Sequence, residues 1–258
     1  MADPRPISSK DNPLLVRVRK LGADPGAYRK LGEVWLEGDH LCDAFVRRGG
    51  RALHAIVRAD GWAQPALRHL ASHAAAVAIL PPELMAGLST LESPPMIGFV
   101  VATPTAPAIT PDAPSVVFDR LQDAGNVGAI LRSASAFGFA QVIALKGTAA
   151  LWSPKVLRAG MGAHFALRLV EAVEADALTA LQVPLLATSP HAAPAIHQVA
   201  LPWPCGWVLG HEGRGVAEAL QQRCAMALRI PQPGGEESLN VAAAAAVCLY
   251  ESARQRMA

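Results

Sequence analysis

From Ser115 to the C-terminus, short apolar runs alternate with stretches of helical period. SVVFD (115–119), QVIAL (141–145), VPLLAT (183–188), GWVLG (206–210) and AMALRIP (225–231) are near-continuous apolar runs bounded by turn residues. Runs of that length and content predict buried strands. Between them, residues 127–138 place Val127, Ile130, Leu131, Ala134 and Phe137 on one stripe of a helix, with Asn126 as the expected N-cap. Further helices are predicted around 154–160, 174–182, 216–222 and 239–254; the last, LNVAAAAAVCLYESAR, is apolar nearly all round in its first half. Strands separated by helices imply a parallel sheet covered on both faces.

The first hundred residues give a looser version of the same alternation. PLLVRVRKL (13–21) predicts a short helix with basic residues on one side, and WLEGDHLCDAFVRRG begins as a strand and passes into a helix. LHAIV is a second strand, Ala63 to Ala71 reads as a helix, and MIGFVVA (96–102) is a buried strand. Between the two halves lies TPTAPAITPDAP (Thr103–Pro114), with prolines at 104, 107, 111 and 114 and no periodicity. Proline fixes φ and removes a donor, so this segment is expected to be an extended linker. The pattern therefore predicts an α/β protein in two parts, residues 1–102 and 115–258, joined by 103–114.

Composition narrows the classes of function. Of 258 residues, 52% are hydrophobic, which excludes a disordered chain. Lys and Arg number 23 against 21 Asp and Glu, so a formal charge of +2 excludes a polycation but not a local basic patch. The four cysteines, Cys42, Cys205, Cys224 and Cys248, form no C-x-x-C pair and have no histidine at ligand spacing. No zinc site and a reduced, cytoplasmic setting are expected. The N-terminus lacks the apolar core of a signal peptide, and no apolar run reaches the roughly 18 residues of a membrane span.

Ligands of parallel α/β sheets bind beyond the carboxyl ends of the strands. Three loops there carry chemistry. NVGAILRSASAFGF sets Asn126 and Arg132 on a helix N-terminus, with Arg132 opposite the apolar stripe; the alternative is a capping Asn beside a solvated Arg. LGHEGRGV holds Glu212 inside a glycine-rich turn; it matches neither a Walker A loop nor a dinucleotide fingerprint, and a turn-stabilising Glu is the plainer reading. Arg214 is either a phosphate contact or an ordinary surface arginine. In IPQPGGEESLNVAAAAA, Ser238 is the expected N-cap of the last helix, Asn240 falls in its first turn, and Glu236 and Glu237 read as solvated loop charges.

Together, NVGAILRSASAFG, LGHEGRG and IPQPGGEESLNVAAA resemble, in order and spacing, the three signature motifs of the SpoU (TrmH) family of RNA ribose 2'-O-methyltransferases, in the SPOUT superfamily. SSKDNPLLVRVRKL followed by VWLEGDHL is similar to the ribosomal-protein-like substrate-binding extension that opens rRNA-directed members. The resemblance implies a C-terminal α/β knot, S-adenosylmethionine bound in a bent shape, and a homodimer. It places Gly210, Ile230 and Leu239 in the cofactor pocket, with Ala187 and Thr188 as weaker additions. Asn126, Arg132, Glu212, Ser238 and Asn240 match its catalytic and substrate-orienting positions. A guanidinium is too weakly acidic to serve readily as a base, so Arg132 is expected to clamp an RNA phosphate and stabilise the developing alkoxide. No metal is required.

Arg17, Arg19, Lys20, Arg29, Lys30, Arg47 and Arg48 are candidates for phosphate contacts, with an ordinary solvated face as the alternative. The favoured substrate is 23S-type rRNA. A tRNA 2'-O-methyltransferase is the rival within the same chemistry. A non-catalytic RNA-binding or ribosome-assembly factor is the rival outside it, and the joint presence of all five motif residues argues against it.

Overall fold

The computed structural model describes residues 3–105, 107–234 and 238–257. The chain divides into two compact units, each with its own sheet.

The first unit contains β1 (Arg5–Pro6), α1 (Pro13–Ala23), α2 (Ala27–Leu31), β2 (Glu33–Glu37), α3 (Asp39–Arg47), β3 (Ala52–Arg58), α4 (Pro65–Ala71), β4 (Ala74–Leu80), α5 (Pro82–Ala86) and β5 (Ile97–Ala102). Its sheet has the order β1-β4-β3-β5-β2; β4 runs parallel to β1 and β3, while β5 is antiparallel to β3 and β2. Helix α1 starts where Asn12 accepts from the Leu14 N–H at 2.9 Å and Pro13 presets the first turn. Its buried residues Leu15, Val18 and Leu21 recur every three positions and so share one face. Strand β4, AAAVAIL, carries no strand signature because alanine favours neither the pleat nor its packing. It forms because β1 and β3 pair along both of its edges.

The second unit runs β6 (Ser115–Asp119), α6 (Ala124–Ala136), β7 (Gln141–Leu145), then, after α7 (Pro154–Gly160), β8 (Arg168–Val173), β9 (Leu185–Thr188), β10 (Gly206–Gly210), α8 (Glu218–Gln221), β11 (Met226–Leu228) and α9 (Val241–Met257). All strands pair in parallel in the order β11-β9-β10-β6-β7-β8. Every residue of β6, β7 and β10 is buried, as expected for strands covered on both faces. Trp207 is fully buried, and its indole N–H donates to the Ser252 hydroxyl at 2.9 Å, fastening α9 to the sheet. The predicted 174–182 helix is a short 3-10 segment, Ala175–Ala180, and β8 is a strand without a counterpart among the predicted runs.

One segment departs from the simple two-part division. Residues 152–165, which contain α7, belong to the first unit. Phe165 meets Phe45 edge-on at 5.2 Å, and the Arg158 guanidinium donates to the Thr90 hydroxyl at 3.1 Å while lying 3.8 Å from the Glu37 carboxylate. The chain thus leaves the second unit after Leu151 and re-enters it at Ala166, a crossing that apolar periodicity does not encode.

In the first unit, Gly98 lies under the Trp35 ring, so that a Cβ there falls 2.1 Å from the nearest ring carbon. Gly98→Ala is therefore expected to destabilise the unit by about 1–3 kcal/mol, the usual range for overpacking a tight core. A denaturant midpoint equal to wild type contradicts that packing.

Candidate active site

Helix α6 begins one turn earlier than its apolar stripe suggests. Asp123, not Asn126, is the N-cap: its carboxylate accepts from the Asn126 N–H at 2.7 Å. Ala124 and Gly125 carry no pattern that marks them as helical, which is why the stripe points to a later start. Helix α9 shows the same kind of shift. Asn240, not Ser238, is the cap, with Oδ1 accepting from the Ala242 N–H at 2.8 Å and the Ala243 N–H at 3.3 Å.

These two caps release side chains for other work. With its oxygen taken by the α9 backbone, Asn240 turns its amide nitrogen to Asn126, donating to Oδ1 at 3.0 Å. The Asn126 amide then faces Glu212 and donates to Oε1 at 3.3 Å. Each amide orientation is fixed by the next bond in the run rather than by its own contacts alone. Glu212 completes the network by accepting from the backbone N–H of Asp123 at 3.1 Å and of Gln122 at 3.2 Å. Partial burial pushes the Glu212 carboxyl upward, but its own backbone N–H, those of Asp123 and Gln122, and the Asn126 amide together hold it below the ordinary carboxylate range.

The turn that presents Glu212 depends on Gly210. A Cβ there falls 2.1 Å from the Gly215 carbonyl carbon and the Val216 nitrogen, so no other residue fits without moving the turn. His211 holds the turn from within: its carbonyl accepts from the Gly215 N–H at 2.8 Å and its Nδ1 accepts from the Gly213 N–H at 3.0 Å. Arg132 is exposed on α6, and Arg214 is exposed in the Glu212 turn.

A cleft lies at the carboxyl ends of β9 and β11 and the approach to α9. It is lined by Thr188, Ser189, Pro190, Ile230, Gln232, Ser238, Leu239 and Ala244. Thr188, Ile230 and Leu239 of the expected cofactor set line it, whereas Ala187 is buried inside β9 and Gly210 closes β10 away from the lining. Ser189, Pro190, Gln232 and Ala244 were not anticipated, because nothing in their spacing distinguishes them from loop residues. Glu236 and Glu237 lie outside the described residues.

Residues 113–250 match the model of the SpoU rRNA Methylase family. The chain belongs to that family. It is 31% identical to an uncharacterized tRNA/rRNA methyltransferase of Synechocystis, over 98% of this chain and 94% of that one. It is also 31% identical to a 23S rRNA (uridine(2479)-2'-O)-methyltransferase of Streptomyces viridochromogenes, over 76% of this chain and 72% of that one. The solved structure of the SpoU methyltransferase AviRb from the same organism, in complex with AdoMet, superposes with a TM-score of 0.85 and 26% identity, covering 96% of this chain and 99% of that one. This SpoU-family protein is an RNA methyltransferase whose cofactor is S-adenosylmethionine.

The cleft fits that cofactor. Ile230 and Leu239 offer apolar surface for an adenine ring, Leu239 being 41% exposed, while Thr188, Ser189 and Ser238 offer hydroxyls. The Gln232 side-chain oxygen is buried with no hydrogen-bond partner among the described residues, which leaves an acceptor open toward a ligand amine or hydroxyl. No three His, Cys, Asp or Glu among the described residues group as a metal site, and no described helix is long and apolar enough to cross a membrane.

The basic residues of the first unit differ in their commitments. Arg47 pairs with Asp43 at 2.6 Å, Arg19 donates to the Lys10 carbonyl, and the Arg29 guanidinium sits 5.0 Å from the Tyr28 ring centre. Arg17 lies 3.3 Å from Glu33 without the alignment of a hydrogen bond. Lys20, Lys30 and Arg48 are exposed.

A carboxylate depressed on folding contributes stability above its unfolded value and loses it as pH falls through the folded one. The Glu212 bonds are therefore complete above pH 4.5, the ordinary value, and persist somewhat below it. In an amide NMR titration, the Gln122 and Asp123 resonances are expected to hold steady as pH falls past the ordinary carboxylate value of 4.5 and to shift together only below it, with Glu212→Gln removing that coupled step. Independent shifts of the two amides contradict a shared carboxylate.

Proposed function

We propose that this SpoU-family enzyme methylates a ribose 2'-hydroxyl of 23S-type rRNA in the cytoplasm, as a homodimer, with the first unit holding the RNA. The observation that carries the proposal is the unbroken run Asn240–Asn126–Glu212, which joins the heads of α6 and α9 next to Ser238 and Leu239 of the cleft. A run of that kind fixes groups in place before substrate arrives, so the cost of ordering them does not fall on the reaction step.

The cofactor supplies an electrophilic methyl on a sulfonium. The protein must place the ribose oxygen in line with it and stabilise the charge that develops as the hydroxyl proton departs. Arg132, exposed on α6, is suited to clamp the phosphate beside that ribose with its guanidinium fork. Asn126 and Asn240 orient the loop backbone and the ribose, Glu212 holds the two loops together, and Ser238 presents a hydroxyl to the cleft. Lys20, Arg29 and Lys30, at the end of α1 and along α2, lead the candidates for the RNA backbone, with Arg17, Arg19, Arg47, Arg48 and Arg214 as further contacts.

Dimerisation is supported by the apolar surface of α9. Val247, Tyr250 and Met257 are 40%, 49% and 75% exposed, and the Tyr250 ring continues onto Phe137, the cap residue after α6, at 5.7 Å. The trefoil knot is part of the same proposal for the second unit, in which β10 lies between β9 and β6 and α9 packs on both β10 and α6.

The test is transfer of labelled methyl from S-adenosylmethionine to separated, unmodified rRNA and tRNA. Label in ribose of the rRNA pool, lost by at least about a hundredfold in Arg132→Ala with cofactor binding retained, is the expected result. Label only in tRNA selects the rival substrate, and cofactor binding without transfer to either pool contradicts the proposal. Separately, Tyr250→Asp is expected to shift the protein from dimer to monomer on sizing; an unchanged dimer places the interface elsewhere.

A further inference from the structure

Asp119, the last residue of β6, is 3% exposed, a carboxylate in a place where charge is costly unless paired. Both of its oxygens are engaged. Arg120 donates from Nε to Oδ1 at 2.7 Å and from Nη2 to Oδ2 at 3.0 Å, and the Ala217 N–H donates to Oδ2 at 2.7 Å.

We propose that Asp119 is a positioning residue for methyl transfer, acting through Glu212. This rests on the role given to Glu212 above. The Glu212 turn leaves β10 at Gly210, which is paired in register with Asp119, and it returns at Ala217, whose N–H is bound by the Asp119 carboxylate. Both ends of the turn are therefore tied to one residue. The partners of Glu212, the Gln122 and Asp123 N–H groups, lie three and four residues beyond that same Asp119. Arg120 adopts φ 61, a left-handed conformation that residues with side chains seldom take. The bidentate pair with Asp119 holds it there, so the chain turns sharply directly after the strand. Strain of this sort is held where surrounding bonds over-determine it, and functional sites are where it concentrates. The carboxylate thus closes the base of both loops, and Glu212 closes their tips.

The test uses the full chain, S-adenosylmethionine and unmodified rRNA. Asp119→Asn keeps the shape but turns an amide donor toward either Arg120 or Ala217. Ala217→Pro, at a φ of −57 that proline accepts, replaces the N–H with a ring carbon that pushes the Asp119 oxygen away, and so breaks the tie from the side of the turn. Both are expected to lower kcat by roughly tenfold or more, the scale of a small misplacement of reacting groups, while calorimetry shows S-adenosylmethionine still bound. The decisive readout is the double variant. If Asp119 acts through Glu212, Asp119→Asn combined with Glu212→Gln is no slower than Glu212→Gln alone, whereas a separate structural role makes the losses multiply. Multiplying losses, or full kcat in Asp119→Asn and Ala217→Pro while Glu212→Gln is impaired, overturns the positioning role and leaves the site intact. Full kcat in Glu212→Gln overturns the site reading and the positioning role together.

Discussion

The Glu212 carboxylate accepts from the backbone of Gln122 and Asp123 and from the Asn126 amide, and these bonds join the loop after β10 to the loop after β6. Without them, the two loops are tied at their bases, through the Gly210–Asp119 pairing and the Asp119–Ala217 bond, but not at their tips. With them, Asn126 has a fixed orientation, and through Asn126 the head of α9 is fixed as well. The network is exposed to water rather than buried, so its worth lies less in stability than in holding several polar groups in one arrangement. That is what alignment of a ribose oxygen with a methyl group requires.

The sheet makes such a network possible. Because every strand of the second unit runs parallel, the loops after β6, β9, β10 and β11 all emerge on one edge. β6 and β10 are central neighbours, from which the strand order runs outward in opposite directions, the place where α/β sheets open a crevice. The fully buried strands β6, β7 and β10 anchor that edge, and Gly210 lets the Glu212 turn fold back against its own strand. Fold and chemistry meet in residues whose side chains are small or absent.

Much of this was legible in the residues. The parallel alternation, most strand positions and the three chemistry-bearing loops follow from apolar runs and punctuation. Strand β4 escaped because alanines obscure the pleat, and α7 escaped its unit because packing against distant residues leaves no local mark. The cap positions were misplaced for a related reason. Asp123 and Asn126 are both good caps, as are Ser238 and Asn240, and only three-dimensional contact decides which one bonds the backbone. That decision matters chemically, since it is the freed Asn126 amide that reaches Glu212. Asp119 belongs to none of the three loops, although an acid closing an otherwise apolar run is itself a signal.

The central claim is that these loops serve ribose methylation of rRNA, and nucleoside mass spectrometry tests it in the cell. Ribosomal RNA from cells with and without this chain is digested and its methylated nucleosides are compared. The account predicts that one 2'-O-methylated ribose disappears with the chain and returns with it, while base methylations are unchanged. An unaltered set of ribose methylations in rRNA, or loss of a base methyl instead, contradicts it.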